Sequence, residues 1–292
     1  MSDVILTADG ESVTLHGGAF AGHGIALTGL SGWYQTPDAK VTVTSRGQGD
    51  GGHDIVADNV MYDARVVTVG YRIIAGSDRE EALRQLALLD KLVHRLVTCR
   101  VIDDGQDTCC SGGYYVRSLE QKIQNPLWQN LSGDITLVFE RPERLSTTAQ
   151  RCQLLPSIES DRVGLSYGPA ARGLAYPLSY GAAAVDARNV CTLTNNGSSR
   201  AYPVFTVQGP WPSGVQLTFP GLGMSLDYAE SVGNVPLVLD SRSRTASIGG
   251  LDVSRNLRQR GFPNVQPGGS LAVNLQSIGN GYVSIECHDT YM

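Results

Sequence analysis

The chain has 292 residues, of which 34 are glycine and 17% are charged, with 28 acidic against 23 basic side chains and a formal net charge of −5. That length suits two domains of ordinary size, and the glycine content with so few charges favours turns over long helices. No basic block is available to track a phosphate backbone, which argues against sequence-specific DNA binding.

The opening "MSDVILTADGESVTL" lacks a basic segment followed by a continuous apolar one, and no apolar run is long enough to cross a bilayer. A soluble protein without a classical export signal is expected. Six cysteines at 99, 109, 110, 152, 191 and 287 show no C-x-x-C pairing and are too few for a disulfide scaffold. Free thiols in a reducing cytoplasm follow, and the adjacent Cys109 and Cys110 have no neighbouring histidine or lysine to lower a thiol pKa.

From Val4 to Leu15 and from Lys40 to Thr44, β-branched and polar residues alternate as in strands with one buried face, and "ARVVTVGYRI" at 64–73 repeats the pattern. The segment "SDREEALRQLALLDKLVHRLV" predicts one long helix over about 77–97. There Ser77 and Glu80 form a capping box, and Ala82, Leu86, Leu89, Val93 and Leu96 fall on the face that packs on a sheet. Asp104-Gly105 predicts a hairpin turn, and "DITLVFERP" at 134–142 a further strand. Residues 1–146 thus read as an N-terminal β domain with one helix, and 147–189, rich in Ser, Gly, Ala and Pro, as an extended connector. Residues 190–292 read as a C-terminal sandwich of the galectin or jelly-roll kind. The predicted fold class is mainly β, with two sandwich-like domains.

Apparent active sites fail on context. Gly47, Gly49 and Gly52 have the spacing of a dinucleotide fingerprint, but β-rich sequence leaves the loop where a helix is required, and the helix further on opens with Asp78, Glu80 and Glu81. "GLSYG" at 164–168 fits a nucleophile elbow around Ser166, with Asp240 and His288 in hydrolase order, yet no helix follows it. Histidines 16, 23, 53, 94 and 288 are scattered, and Asp103, Asp104 and Asp107 lack the twelfth-position glutamate of a calcium loop, where Tyr114 stands. No catalytic, cofactor-binding or metal residues are assigned. Trp128, Trp211 and the tyrosines offer faces on which a sugar could stack, so a carbohydrate-binding sandwich protein acting in host recognition is the alternative reading.

The C-terminal half carries a series of short motifs in order: Asn196 with Gly197, Pro203, Gly209 with Pro210, Asp240, Arg244 with Thr245, Phe262, and Pro267 with Gly268. In this order they resemble the distal tail proteins of long-tailed, siphovirus-type bacteriophages. The N-terminal half agrees more loosely through "GWYQTP", the strand from Arg65 to Arg72, the helix and "LVFERPERLS", where Glu143 and Leu145 depart from the pattern and "RP" replaces "DP". Each motif also has a local reason: Asn196-Gly197 is expected to make a turn through positive φ, Pro203 to sit on an edge strand, and Pro267-Gly268 to fill a type II turn.

The resemblance implies a structural virion protein without enzymatic activity. Six copies would form a ring at the distal end of the tail, assembled in the host cytoplasm, joining the tube protein to the tip and adsorption proteins. Glycines 47, 49, 51 and 52 would then adapt the backbone at a subunit contact or at the channel rim. Six copies carry a formal −30, so DNA would pass through without specific binding.

Overall fold

The structure, a computed structural model, describes residues 2–18, 20, 22–52, 60–76, 78–120, 131–156 and 188–292. It consists of two compact units: Met1–Thr148 with Thr290–Met292, and Ala149–Asp289. Both are built from antiparallel strands, and one α-helix occurs among the described residues.

In the first unit, β1 (Asp3–Ala8) and β2 (Glu11–Leu15) form a hairpin. The run from Val4 to Leu15 is thereby split at Asp9 and Gly10, whose φ values of 46° and 85° are those a two-residue hairpin turn demands. Then come β3 (Gly24–Ser31), β4 (Arg65–Ile74), α1 (Arg79–Asp90), β5 (Leu96–Asp103), β6 (Gln106–Arg117), β7 (Leu131–Phe139) and β8 (Arg144–Leu154). Hydrogen-bonded neighbours run β3-β4-β7-β6-β5-β1-β2. His16, just past β2, bridges to Ala26 in β3, so the sheet closes on itself and hides both of its edges. The enclosed core includes Leu6, Leu15, Val69, Tyr71, Ile73 and Phe139. Gly113 lets Phe139 in: a Cβ there would lie 2.4 Å from the ring. Asp104-Gly105 makes the expected hairpin between β5 and β6, with Asp103 opposite Gln106.

The helix is shorter than its periodicity suggests. Asp78 caps it, accepting hydrogen bonds from the amides of Glu80 and Glu81, whereas Ser77 lies outside the described residues. Ala82 and Leu89 are buried and Leu86 packs against the core, as expected of the inner face. Beyond Asp90 the chain turns, His94 takes φ of 64°, and Leu96 opens β5. Val93 and Leu96 match a helical period, but Val97, Cys99 and Val101 match a period of two, and burying those three decides the outcome. The strand expected at Lys40–Thr44 does not form; these residues, all but Val41 exposed, lie between isolated bridges at Ala39 and Ser45. Residues 147–154, read as connector, continue β8, and 157–187 lie outside the described residues.

The second unit is a sandwich. Its strands are β9 (Val190–Thr194), β10 (Val204–Gln208), β11 (Val215–Phe219), β12 (Met224–Tyr228), β13 (Leu237–Asp240), β14 (Thr245–Ile248), β15 (Leu251–Asp252), β16 (Leu257–Arg260), β17 (Ser270–Leu275) and β18 (Tyr282–Tyr291). One sheet has the order β15-β14-β13-β10-β18 and the other β16-β12-β11-β17-β9. Period-2 burial along the central strands, such as Phe205 and Val207 of β10 and Leu217 and Phe219 of β11, fills the space between them. The rings of Phe205 and Phe219 meet at 5.8 Å.

The turns of this unit are set by side chains. Pro267 and Gly268 form the expected turn: Gly268 has φ of 65° and the Gly269 amide donates to Gln266 O at 2.9 Å. Asp240 closes the β13–β14 turn, accepting from the Arg242 amide at 2.8 Å and the Ser243 hydroxyl at 2.9 Å. Two expectations are corrected. Neither Asn196 nor Gly197 has positive φ; the Gly197 amide instead donates to Asn195 Oδ1, an Asx-type turn that needs no left-handed residue. Pro203 does not mark an edge, since β10, which it precedes, pairs with both β13 and β18.

Candidate interaction surface

On the outer face of the first unit, the strand registers bring apolar side chains into one row. Val66 of β4 stands opposite Val138 of β7, Val138 opposite Tyr114 of β6, and Tyr114 opposite Leu96 of β5. Val116, two residues along β6, adds to the row. Leu96 is 70% exposed, Val116 55%, Tyr114 53% and Val66 52%. Each follows from alternation, because inward neighbours such as Val67, Tyr115 and Val97 take the core positions. A contiguous apolar patch of this kind marks an interaction site more than scattered exposed residues do.

Arg65, the residue before Val66, holds the adjoining excursion of the chain in place. It is 1% exposed, and its guanidinium donates to Pro142 O at 2.6 Å through Nε and to Gly32 O, Trp33 O and Gln35 O at 2.7–2.8 Å through Nη1. A charge-assisted fork thus gathers backbone carbonyls from the residues just after β3 and from Pro142, between β7 and β8. Gly32, with φ of 78°, permits the approach: a Cβ would lie 2.0 Å from Val66 O. Beside it, Arg144 lies 5.1 Å over the Tyr34 ring, and Tyr34 donates to Asp103 at 2.8 Å. Burial, then this bond, pushes the Tyr34 phenol up to about 12, and burial lowers the pKa of both arginines.

The residues singled out in the sequence go to structural positions. Ser45 bridges to Gly52 and the Arg46 amide donates to Gly51 O, so Gly47, Gly49 and Gly52 belong to a hairpin tip, and residues 53–59 that leave it lie outside the described residues. Asp240 serves its turn, His288 pairs with Glu286 at 3.0 Å, and Ser166 lies outside the described residues. Asp107 forms a forked pair with Arg100, which lowers its pKa, and Asp103 is engaged by Tyr34, so these carboxylates do not converge. Among the described residues no group of three or more His, Cys, Asp or Glu could hold a metal, and no helix is long and apolar enough to cross a membrane. His16 stacks on Phe20, and His53 lies outside the described residues. Cys110 is buried, donates to Glu143 O and is pushed up to about 12 by burial; burial also raises Cys109. Neither is a reactive thiolate. Trp211 is fully buried against Gly279 and Gly281, where a Cβ would lie 2.4 Å from its indole, so it offers no face to a sugar; Trp128 lies outside the described residues.

No protein-family model matches the chain, and no curated protein matches it in sequence. Solved structures do match over its whole length. The SPP1 Dit protein, described as a paradigm of the hub adsorption apparatus in phages infecting Gram-positive bacteria, superposes with a TM-score of 0.60 at 9% identity, covering 99% of each chain. The fold is that of a phage distal tail protein. A chain of the phage P2 baseplate in its activated conformation matches with a TM-score of 0.55 at 11% identity with Ca, and 0.54 at 12% with Sr, covering 98% of each chain. The match runs through both units. Sequence reasoning passed over the apolar row; its signal was a set of runs, "RVV" and "YYV", in which residues of both parities are apolar.

Proposed function

We propose that the chain is a structural component of the distal end of a phage tail, and that six copies close into a ring joining the tail tube to the tip and adsorption proteins. The observation that carries this reading is the match to a hub protein through both units at 99% coverage. The ring is held by the first unit: the row of Val66, Tyr114, Val116 and Leu96 meets the same unit of the next copy, since a closed ring reuses one pair of surfaces at every contact. The exposed tip at 45–52 lies at a subunit contact or the channel rim, and the net charge of −5 per copy lets DNA slide through without binding. The chain is assembled in the host cytoplasm and leaves in the virion.

Electron micrographs of particles labelled for this chain test the reading: label belongs at the far tip of the tail, and label on the head or along the tube would overturn it. In solution a six-copy ring has a mass of about 187 kDa against 31.2 kDa for one chain. Leu96→Asp with Tyr114→Asp places two carboxylates in the contact and is expected to leave folded monomers. Rings that persist in that variant would remove the row from the interface.

A further inference from the structure

Two cysteines of the second unit lie side by side where its two sheets meet. β8, through its residues 149–154, borders β18 in one sheet, and β9 is the edge of the other. At that seam the two strands run antiparallel. The Leu155 amide donates to Arg188 O at 2.8 Å, and Gln150 reaches both the Thr192 carbonyl and the Thr194 amide through its side chain. Carrying the 155–188 register three residues back along β8 sets Cys152 opposite Cys191. After burial, the neighbouring Cys152 thiol is what raises the pKa of Cys191. Both side chains are partly buried, face the sandwich core and are unbridged.

We infer that Cys152 and Cys191 are a latent disulfide, a modification site that closes when the protein meets a small-molecule disulfide and staples the two sheets of the second unit together. A disulfide needs its two Cα atoms within about 7 Å, and the hydrogen bonds that flank Cys152 and Cys191 on either side draw the two strands together at this point. One of the two thiols, as a thiolate, displaces one thiolate from the oxidant and forms a mixed disulfide. The other then loses its proton to solvent, attacks the first protein sulfur and releases the second small thiol. Two protein thiols are oxidised and one small disulfide is reduced to two thiols.

The first unit contains a comparison pair. Cys99 and Cys110 also stand directly opposite one another, on β5 and β6, but they are 0% and 2% exposed and Cys110 donates its S–H to Glu143 O. A soluble oxidant reaches the partly exposed pair and not the enclosed one. On the tail reading, the bond would form after release of the particle from a reducing cytoplasm. The chemistry itself does not depend on that reading, and its test involves no ring or particle.

The purified full chain is incubated with oxidised glutathione, alkylated and mapped by mass spectrometry without reduction. Two of the six thiols should disappear into one Cys152–Cys191 cross-linked peptide, and Tm should rise by at least about 5 °C, reversibly with dithiothreitol, because the bond closes a long loop. Cys191→Ser and Cys152→Ser should each abolish the cross-link and leave a glutathione adduct on the remaining cysteine of the pair. If either variant fails to fold, the wild-type map alone decides. Six unmodified thiols in wild type, or a Cys99–Cys110 link in place of the expected one, would overturn the inference.

Discussion

The two units solve the same packing problem with different kinds of polar contact. In the second unit, several turns are fixed by side chains close to home: Asp240 binds residues two and three positions on and Asp252 accepts from the Ser254 amide and hydroxyl, while Asn195 adds to its own turn a bond to the distant Val265 carbonyl. In the first, the decisive contacts reach far along the chain. Arg65 joins carbonyls at positions 32–35 and 142, Tyr34 meets Asp103, and His16 closes the sheet onto β3. Local contacts fix turns independently of one another, whereas long-range ones tie distant segments into one cooperative object. A first unit of that kind holds its row of exposed apolar side chains at a fixed spacing. The second can vary turn by turn without losing its sandwich.

The most damaging way to probe this contrast is to remove Arg65. Arg65→Ala leaves four carbonyls to find new partners in a site that is 1% exposed, with an expected loss of about 3–5 kcal/mol. Arg65→Lys should recover little, because a point charge cannot reproduce the fork. In the second unit the corresponding removal is Asn195→Ala. Its Nδ2 donates to Ser199 O at 2.7 Å and Val265 O at 3.1 Å, and the residue is 1% exposed, so about 2 kcal/mol is expected. Urea unfolding of each variant measures both. Equal losses, or a larger one at Asn195, would break the contrast.

Alkali gives a graded version of the same comparison. In the first unit burial raises Cys99, Cys109, Cys110, Tyr34, Tyr71 and Tyr115, with Cys110 and Tyr34 pushed up to about 12. In the second unit it raises Cys191 and, to about 11, Cys287. These groups are neutral when protonated, and the unfolded chain releases their protons at lower pH than the folded one does. The stability they supply is therefore complete below about pH 9 and declines as pH rises toward 12. Thermal unfolding followed between pH 8 and 12 should show the first unit losing its transition before the second. Cys110→Ala should flatten the first unit's slope, despite a lower starting point.

Legibility in the sequence follows the same division. Asp104-Gly105 and Pro267-Gly268 were readable because each turn is determined by the two residues that form it. The helix over-ran because Val93 and Leu96 satisfy its period, while the competing claim comes from strands that pair far away in sequence. Asn196 stood out as half of a familiar dipeptide, but the working residue is Asn195, whose partners at 265 and 266 no local pattern discloses. The apolar row was hidden for the same reason. Leu96, Tyr114, Val138 and Val66 come from four strands and become neighbours only through register.

The smallest effect tests whether the turns of the second unit are as independent as their contacts suggest. Gly268→Ala puts a Cβ on a residue with φ of 65°, in open space with no atom within 4 Å, so the expected loss is the backbone strain alone, about 1 kcal/mol. Asp240→Ala, at the far side of another hairpin, should lose a similar amount by releasing the Arg242 amide and Ser243 hydroxyl, and Asp240→Asn only a few tenths, since its carbonyl still accepts. The two turns share no partner, and so the double variant Gly268→Ala, Asp240→Ala should equal the sum of the singles to within about 0.5 kcal/mol in urea unfolding. A coupling beyond that would mean that these two turns communicate through the sandwich and are not set by their own residues alone.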